Sequence, residues 1–319
     1  MAAGNSMMSH SILRLSIARS LVLVLVLALL GCRPDDNRGG GLVDRGSEAP
    51  QVYAVCYALQ FLTQEIVGDF CEVEMPNFAG QSPDKFRLSA DRVRALQKYD
   101  LIVTNGGGAQ VAGWLNEVSL PNSIIMEASE GVHLSDFIVT EDAPSHSHGP
   151  EGEHSHNVVV ATTWLDPKVA MDQAEIILNR LQKVFPEQSD PFQKNYQQLR
   201  QKLSELQEFC EQLEGMPDQV LSAEPSFKYL LRRINVNDQH FFWTQEKGGI
   251  DNDLWQEFDE KRGAAKLMLW PTTPAAEIVA ELEKRDIAVE ELELLIEKPA
   301  TGDYVDGLRA NLKKLSRQR

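Results

Sequence analysis

The chain is 319 residues long, 43% hydrophobic and 24% charged, and its 47 acidic against 31 basic residues give a formal net charge of −16. This is the composition of a folded soluble chain, not of a disordered one. The acidic surplus argues against nucleic acid as a partner, because phosphate binding needs a basic face. No apolar run reaches the roughly 18 to 20 residues of a membrane span, which excludes a polytopic membrane protein.

Arg14 and Arg19 precede the apolar run Ser20 to Leu30, which meets Gly31-Cys32. A basic flank, a short apolar stretch and a small residue before the cut describe a secretory signal peptide over residues 1–31. Leu-Leu-Gly-Cys also resembles a bacterial lipobox, which would make Cys32 the lipidated first residue of the mature chain; the other reading is an ordinary signal with an incidental cysteine. Residues 32–49 read as a polar, glycine-rich tether. The expected location is extracytoplasmic or periplasmic, with the membrane reached through the lipid on Cys32. Cys56, Cys71 and Cys210 remain, an odd number without a CxxC pair. Cys56 ends one predicted strand and Cys71 starts the next, which sets them too far apart to bridge if those strands are parallel neighbours. All three read as packing residues.

Strands are predicted at Gln51–Tyr57, Cys71–Met75, Asp100–Thr104 and Ser123–Met126, with helices at Leu59–Val67 and Asp91–Lys98. That alternation implies a parallel sheet covered on both faces. From Pro167 to Glu214 the pattern is nearly continuous helix, with a corner at Pro186 and Pro191. A second β-α series follows: Val220-Leu221, Ser226–Arg233, Lys266–Trp270, Ala275–Lys284 and Val289–Leu295, closed by a helix at Tyr304–Leu315. The predicted fold class is α/β, two lobes with parallel sheets joined by a long rigid helix. The expected organisation is an N-terminal lobe over residues 50–165, a linking helical segment over 166–215 and a C-terminal lobe over 216–319. A ligand belongs between the lobes, at loops after the strand C-termini.

The loop 141–157 holds His146, His148, His154 and His156, four of the chain's 7 histidines. Neutral imidazoles suit zinc, copper or nickel, and without regular HxxxH spacing the loop reads as a labile metal collector; a solvated polar loop is the alternative. Asn105-Gly-Gly-Gly108 lacks the GxGxxG spacing and reads as a tight turn. Asp166 before Pro167 suits a helix N-cap. There is no GxSxG elbow and no HExxH, and serine or cysteine nucleophiles lack a histidine partner, so no enzyme activity is predicted.

In order, Ser82-Pro-Asp84-Lys-Phe86, Asn105-Gly with Trp114-Leu115, the His-rich loop, Trp164-Leu-Asp-Pro167, Phe227-x-Tyr229 and Gly302-Asp-Tyr304 through Asn311-Leu312 resemble the zinc/manganese solute-binding lipoproteins of ABC transporters, the cluster A-I type. The resemblance covers roughly residues 50 to 315. It implies capture of a divalent metal ion, zinc or manganese, for an ABC permease and its ATPase subunit, by a monomer with a stiff linking helix. The family's ion is held by three histidines and one acidic residue. Here Asp84, Thr162 and Glu224 stand at the histidine positions, and Glu293, or its near equivalent Glu291, at the acidic one. Three carboxylates and a hydroxyl tilt the site toward Mn²⁺, Mg²⁺ or Ca²⁺ and away from tight zinc. The alternative is a degenerate cleft on a lipid-anchored adhesin or interaction protein that has lost tight metal binding.

Overall fold

The computed structural model describes residues 49–78, 86–106, 114–115, 118–130, 139–140, 146–147, 153–154, 158–213, 216–243, 250 and 252–317. Hydrophobic runs too short for helices make the strands. β1 (Val52–Ala54) and β11 (Leu267–Trp270) are buried at every position, as strands covered on both faces must be. The first sheet joins β1 to β2 (Val73–Glu74), β3 (Leu101–Thr104) and β4 (Ile125–Glu127) in the order β2-β1-β3-β4. All pairings are parallel, with Val52 opposite both Val73 and Leu101. The crossovers are α1 (Tyr57–Val67) and α2 (Ala90–Leu96).

The second sheet repeats the plan. β9 (Gln219–Ser222), β10 (Asn237–His240), β11 and β12 (Ala288–Glu291) lie parallel in the order β10-β9-β11-β12. α5 (Lys228–Arg233), α6 (Asn252–Lys261) and α7 (Ala276–Glu283) connect them, and α8 (Tyr304–Ser316) closes the chain. In each sheet the strand order reverses beside its first strand, so a crevice opens at the C-terminal ends of β1 and β3, and another at those of β9 and β11.

The linking segment is two helices. α3 (Pro167–Val184) starts at Asp166, whose carboxylate accepts the Lys168 amide at 2.9 Å, the N-cap read from the sequence. The corner falls at Phe185–Gln188, while Pro191 sits harmlessly in the first turn of α4 (Ser189–Gln212), where its missing N–H would have no intrahelical partner. The two run antiparallel, with Gln182 donating to the Ser189 carbonyl at one end and Ser204 against Met171 at the other. α4 buries Phe192, Tyr196, Leu199, Leu203, Leu206 and Cys210, the three-and-four spacing of one helix face. That face joins one continuous core containing Val52 and Leu101 of the first sheet, Val220 and Leu267 of the second, and Leu308 and Leu312 of α8. A smaller aromatic core of Phe241, Trp243, Phe258 and Trp270 lies within the second lobe, with half-buried Trp255 packed against it.

Several elements depart from the sequence reading. The Ser226–Arg233 member of the predicted β-α series is a helical turn followed by α5, but the reading lacked β10, Asn-Asp-Gln-His, a polar edge strand without apolar alternation. α6 was silent because only Phe258 of its residues is buried. β12 stops at Glu291, four residues short of the predicted end at Leu295, which has φ 57°. The loop predicted over 141–157 carries paired backbone: β5 (Val139–Thr140) pairs with β8 (Val158–Val159), and β6 (His146–Ser147) with β7 (Glu153–His154), both antiparallel. Among the described residues no helix is long and apolar enough to cross a membrane.

Leu203 is fully buried in the shared core. Leu203→Ala is expected to lower stability by about 2–5 kcal/mol in urea unfolding, the range for a core leucine truncation; a loss below about 1 kcal/mol would mean that the helical hairpin is not packed into the core.

Candidate metal centre

The junction of the lobes is organised by the turn Ala161–Asp166. It is pinned to the first lobe by Asn105, which follows β3: its Nδ2 donates to the Ala161 carbonyl at 2.9 Å, and its Oδ1 accepts from Thr163 Oγ1 and Gln173 Nε2, both at 2.8 Å. Gln173 is fully buried in α3, and its Nε2 also lies 3.1 Å from Ser129 Oγ and 3.0 Å from Thr163 Oγ1. Buried amides on a rigid helix and a strand end thus fix the turn. Gly106 beside it has φ 77°, and a Cβ there would sit 2.5 Å from that of Glu127. That crowding and the positive φ require the glycine at 106; Gly107 and Gly108 of the predicted turn lie outside the described residues.

Each expected ligand has a definite place or lies outside the described residues. Thr162 is buried, and its hydroxyl donates to the Ser226 carbonyl of the second lobe. Glu224 stands two residues beyond β9, at the reversal point of the second sheet, and its Oε1 accepts from the Ser226 hydroxyl. Ser226 therefore brings Thr162 and Glu224 into one cluster. Glu293 is exposed and is held by its main chain, with Asn311 of α8 donating to its carbonyl at 2.8 Å and accepting from its amide at 3.0 Å. Glu291 is engaged elsewhere, its Oε2 accepting from Thr273 and its carbonyl from Lys314 at 2.6 Å. Asp84, His148, His156 and Cys32 lie outside the described residues. His146 and His154 are described by backbone alone, opposite one another in the β6–β7 pair. Among the described residues no three His, Cys, Asp or Glu side chains are grouped to hold a metal ion.

Two residues that matter here carried no sequence signal. Ser226 is an ordinary serine behind Pro225. Arg233 grips Asp166 with Nε at 2.8 Å from Oδ1 and Nη2 at 3.0 Å from Oδ2. Asp166 is fully buried, and Arg232 approaches it to 4.0 Å. Burial acts to lower the Arg233 pKa, but its hydrogen bonds and charge pairing with Asp166 prevail and raise it.

Two parallel sheets covered by helices, with Ser226 bonded both to Thr162 and to Glu224 where the second sheet reverses, define a two-lobe α/β protein. The sequence model of the zinc-uptake complex component A periplasmic family (ZnuA) matches residues 52–318, and the chain belongs to that family. It is 27% identical over 247 residues to the metal ABC transporter substrate-binding lipoprotein ScbA of Streptococcus cristatus, covering 73% of this chain and 74% of that one. It is likewise 27% identical over 247 residues to the manganese ABC transporter substrate-binding lipoprotein scaA of Streptococcus gordonii, with the same coverage. In fold it is similar to a Zn(II)-bound AdcAII variant of Streptococcus pneumoniae, with TM-score 0.69 at 20% identity over 86% of this chain and 99% of that one.

Cys56, Cys71 and Cys210 are free, with Cys56 following the end of β1 and Cys71 preceding the start of β2, its parallel neighbour. Burial pushes the Cys56 thiol up to about 12 and the Cys71 thiol to about 11; burial and then the Asp166 charge push Cys210 to about 12. Because the folded values exceed the ordinary 9.0, their contribution to stability is full below about pH 9 and is lost as pH rises toward 12. At pH 8 iodoacetamide is expected to modify half-buried Cys71 first, and Cys56 and Cys210 only after unfolding, read by mass spectrometry. Rapid native labelling of Cys56 would contradict its burial.

Proposed function

We infer that this chain is the extracytoplasmic solute-binding component of an ABC transporter, taking a divalent metal ion as cargo and handing it to a permease driven by its ATPase subunit. The observation that carries this reading is the position of Glu224, beyond the end of β9 at the reversal of the second sheet, with the first lobe's Thr162 bonded to the same short turn. Loops at such a point are where open α/β sheets hold ligands. The cargo's ligands are the carboxylates of Glu224, Glu293 and Asp84. Oxygen donors carrying three negative charges suit a hard cation, with Mn²⁺ ahead of Zn²⁺, and Mg²⁺ or Ca²⁺ as competitors. No bond of the cargo is made or broken, so the function is capture and release and not catalysis.

The remaining parts fit that role. Cys32 carries the lipid anchor, residues 32–49 are the tether, and residues 50–165, 166–215 and 216–319 serve as first lobe, linking segment and second lobe of a monomer. His146, His148, His154 and His156 collect borderline metals near the envelope surface, separately from the carboxylate site.

Isothermal titration separates the two sites. In a chain with His146, His148, His154 and His156 all changed to asparagine, about one Mn²⁺ is expected to bind per protein, and Glu224→Ala is expected to weaken that binding by more than the roughly 10- to 100-fold that loss of an outer-shell partner costs. Unchanged affinity in Glu224→Ala would overturn the cleft assignment.

A further inference from the structure

The turn that carries Thr162 belongs to the first lobe by its anchors and grips the second by everything else. At its mouth Thr162 Oγ1 donates to the Ser226 carbonyl. In its middle Trp164 Nε1 donates to the Leu294 carbonyl at 2.8 Å, and the Trp164 carbonyl accepts from Tyr304 of α8. At its base Asp166 holds Arg233 of α5 through both carboxylate oxygens. Thr162, Trp164, Asp166 and Tyr304 are all buried. Beside the turn, α1 begins at Cys56 without a side-chain cap, and its first amides find carbonyls of the second lobe, Tyr57 to Ile296 at 2.7 Å and Ala58 to Leu295 at 3.1 Å. The lobes are therefore joined by protein bonds at base, middle and mouth.

A binding protein that closes on its ligand leaves the bonds at the mouth to that ligand, and the ligand's preference for the closed state drives closure. Here the mouth bond is complete within the chain. A hydroxyl that donates to a backbone carbonyl needs no cation, and as a neutral donor it contributes little to holding one. The bond also has a consequence for the neighbouring carboxylate. By fixing the Ser226 main chain it sets the serine hydroxyl that donates to Glu224 Oε1.

We propose that Thr162 is a latch between the lobes and a positioning residue for Glu224, not a ligand: through Ser226 it holds the closed arrangement before any cargo arrives. The cargo then enters a cleft already shaped, and its affinity is not reduced by the fraction of molecules that would otherwise be open. Loading leaves the separation of the lobes unchanged, so whatever distinguishes loaded from empty protein lies in the loops around the carboxylates. The effect on affinity rests on the metal-capture reading above, whereas the latch itself does not.

Small-angle X-ray scattering and titration of the chain with the four loop histidines changed to asparagine test both parts. In that background, scattering curves with and without Mn²⁺ are expected to superpose. Thr162→Val keeps the shape of the side chain and removes the donor. It is expected to expand the metal-free protein, to recompact on Mn²⁺ and to weaken Mn²⁺ binding about 5- to 10-fold, as the loss of one hydrogen bond does. Thr162→Ser keeps the donor and is expected to match the parent in both measurements. Should the valine variant fail to fold, Thr162→Ala carries the same comparison. Compaction of the parent on Mn²⁺, or a metal-free valine variant as compact as the parent, would overturn the latch. A loss beyond about 100-fold with unchanged scattering would make Thr162 a ligand and overturn the proposal. If the parent binds no Mn²⁺, the cargo reading fails, and the metal-free comparison of parent and valine variant still decides the latch.

Discussion

The pair between Asp166 and Arg233 is the interaction on which the rest depends. A carboxylate removed wholly from water is tolerable only when paired and hydrogen-bonded, and Asp166 has both oxygens on one guanidinium while it also caps α3. Loss of Arg233 would leave the buried Asp166 charge without its partner, at a cost of about 3–5 kcal/mol. Because Asp166 begins the helical hairpin and Arg233 ends α5 of the second lobe, the same pair sets where the hairpin starts and how α5 meets it. Thr162 and Trp164 precede Asp166 by four and two residues, so their grip on the second lobe is placed by the pair beneath them.

A junction built this way imposes a particular kind of binding protein. The single core running through both sheets and the hairpin joins the lobes beneath the mouth, and the bond from Thr162 to the Ser226 carbonyl closes them at it. On the proposed reading, recognition resides in oxygen chemistry at that mouth, with the Glu224 carboxylate held by the Ser226 hydroxyl, where the family resemblance implies imidazole.

Much of this was legible in the sequence because burial dictates pattern. The uninterrupted apolar strands β1, β3 and β11, the Asp166-Pro167 helix start and the helical face of α4 all follow from that rule. β10 was not legible, because an edge strand of Asn-Asp-Gln-His buries no alternate face and leaves no periodicity. The site was legible in part. The family resemblance singled out Thr162, two residues before Trp164, and Glu224, three before Phe227; Ser226, whose carbonyl and hydroxyl bond to the two of them, has no signature, since its role depends on where a hydroxyl from the other lobe falls. Asn105 was read as part of a turn, and nothing in its neighbours revealed that its amide, with Gln173, fixes the loop bearing Thr162. The antiparallel pairing of His146 with His154 was hidden for the opposite reason: charged and polar residues form a two-residue ladder without any hydrophobic pattern to announce it.

Anomalous diffraction from crystals grown with Mn²⁺ tests the central claim most directly. A peak with Glu224 oxygens about 2.0–2.6 Å away, the range for hard cations on carboxylates, is the predicted result, with Thr162 still bonded to the Ser226 carbonyl. A peak confined to the histidine loop, or none at Glu224, would contradict it.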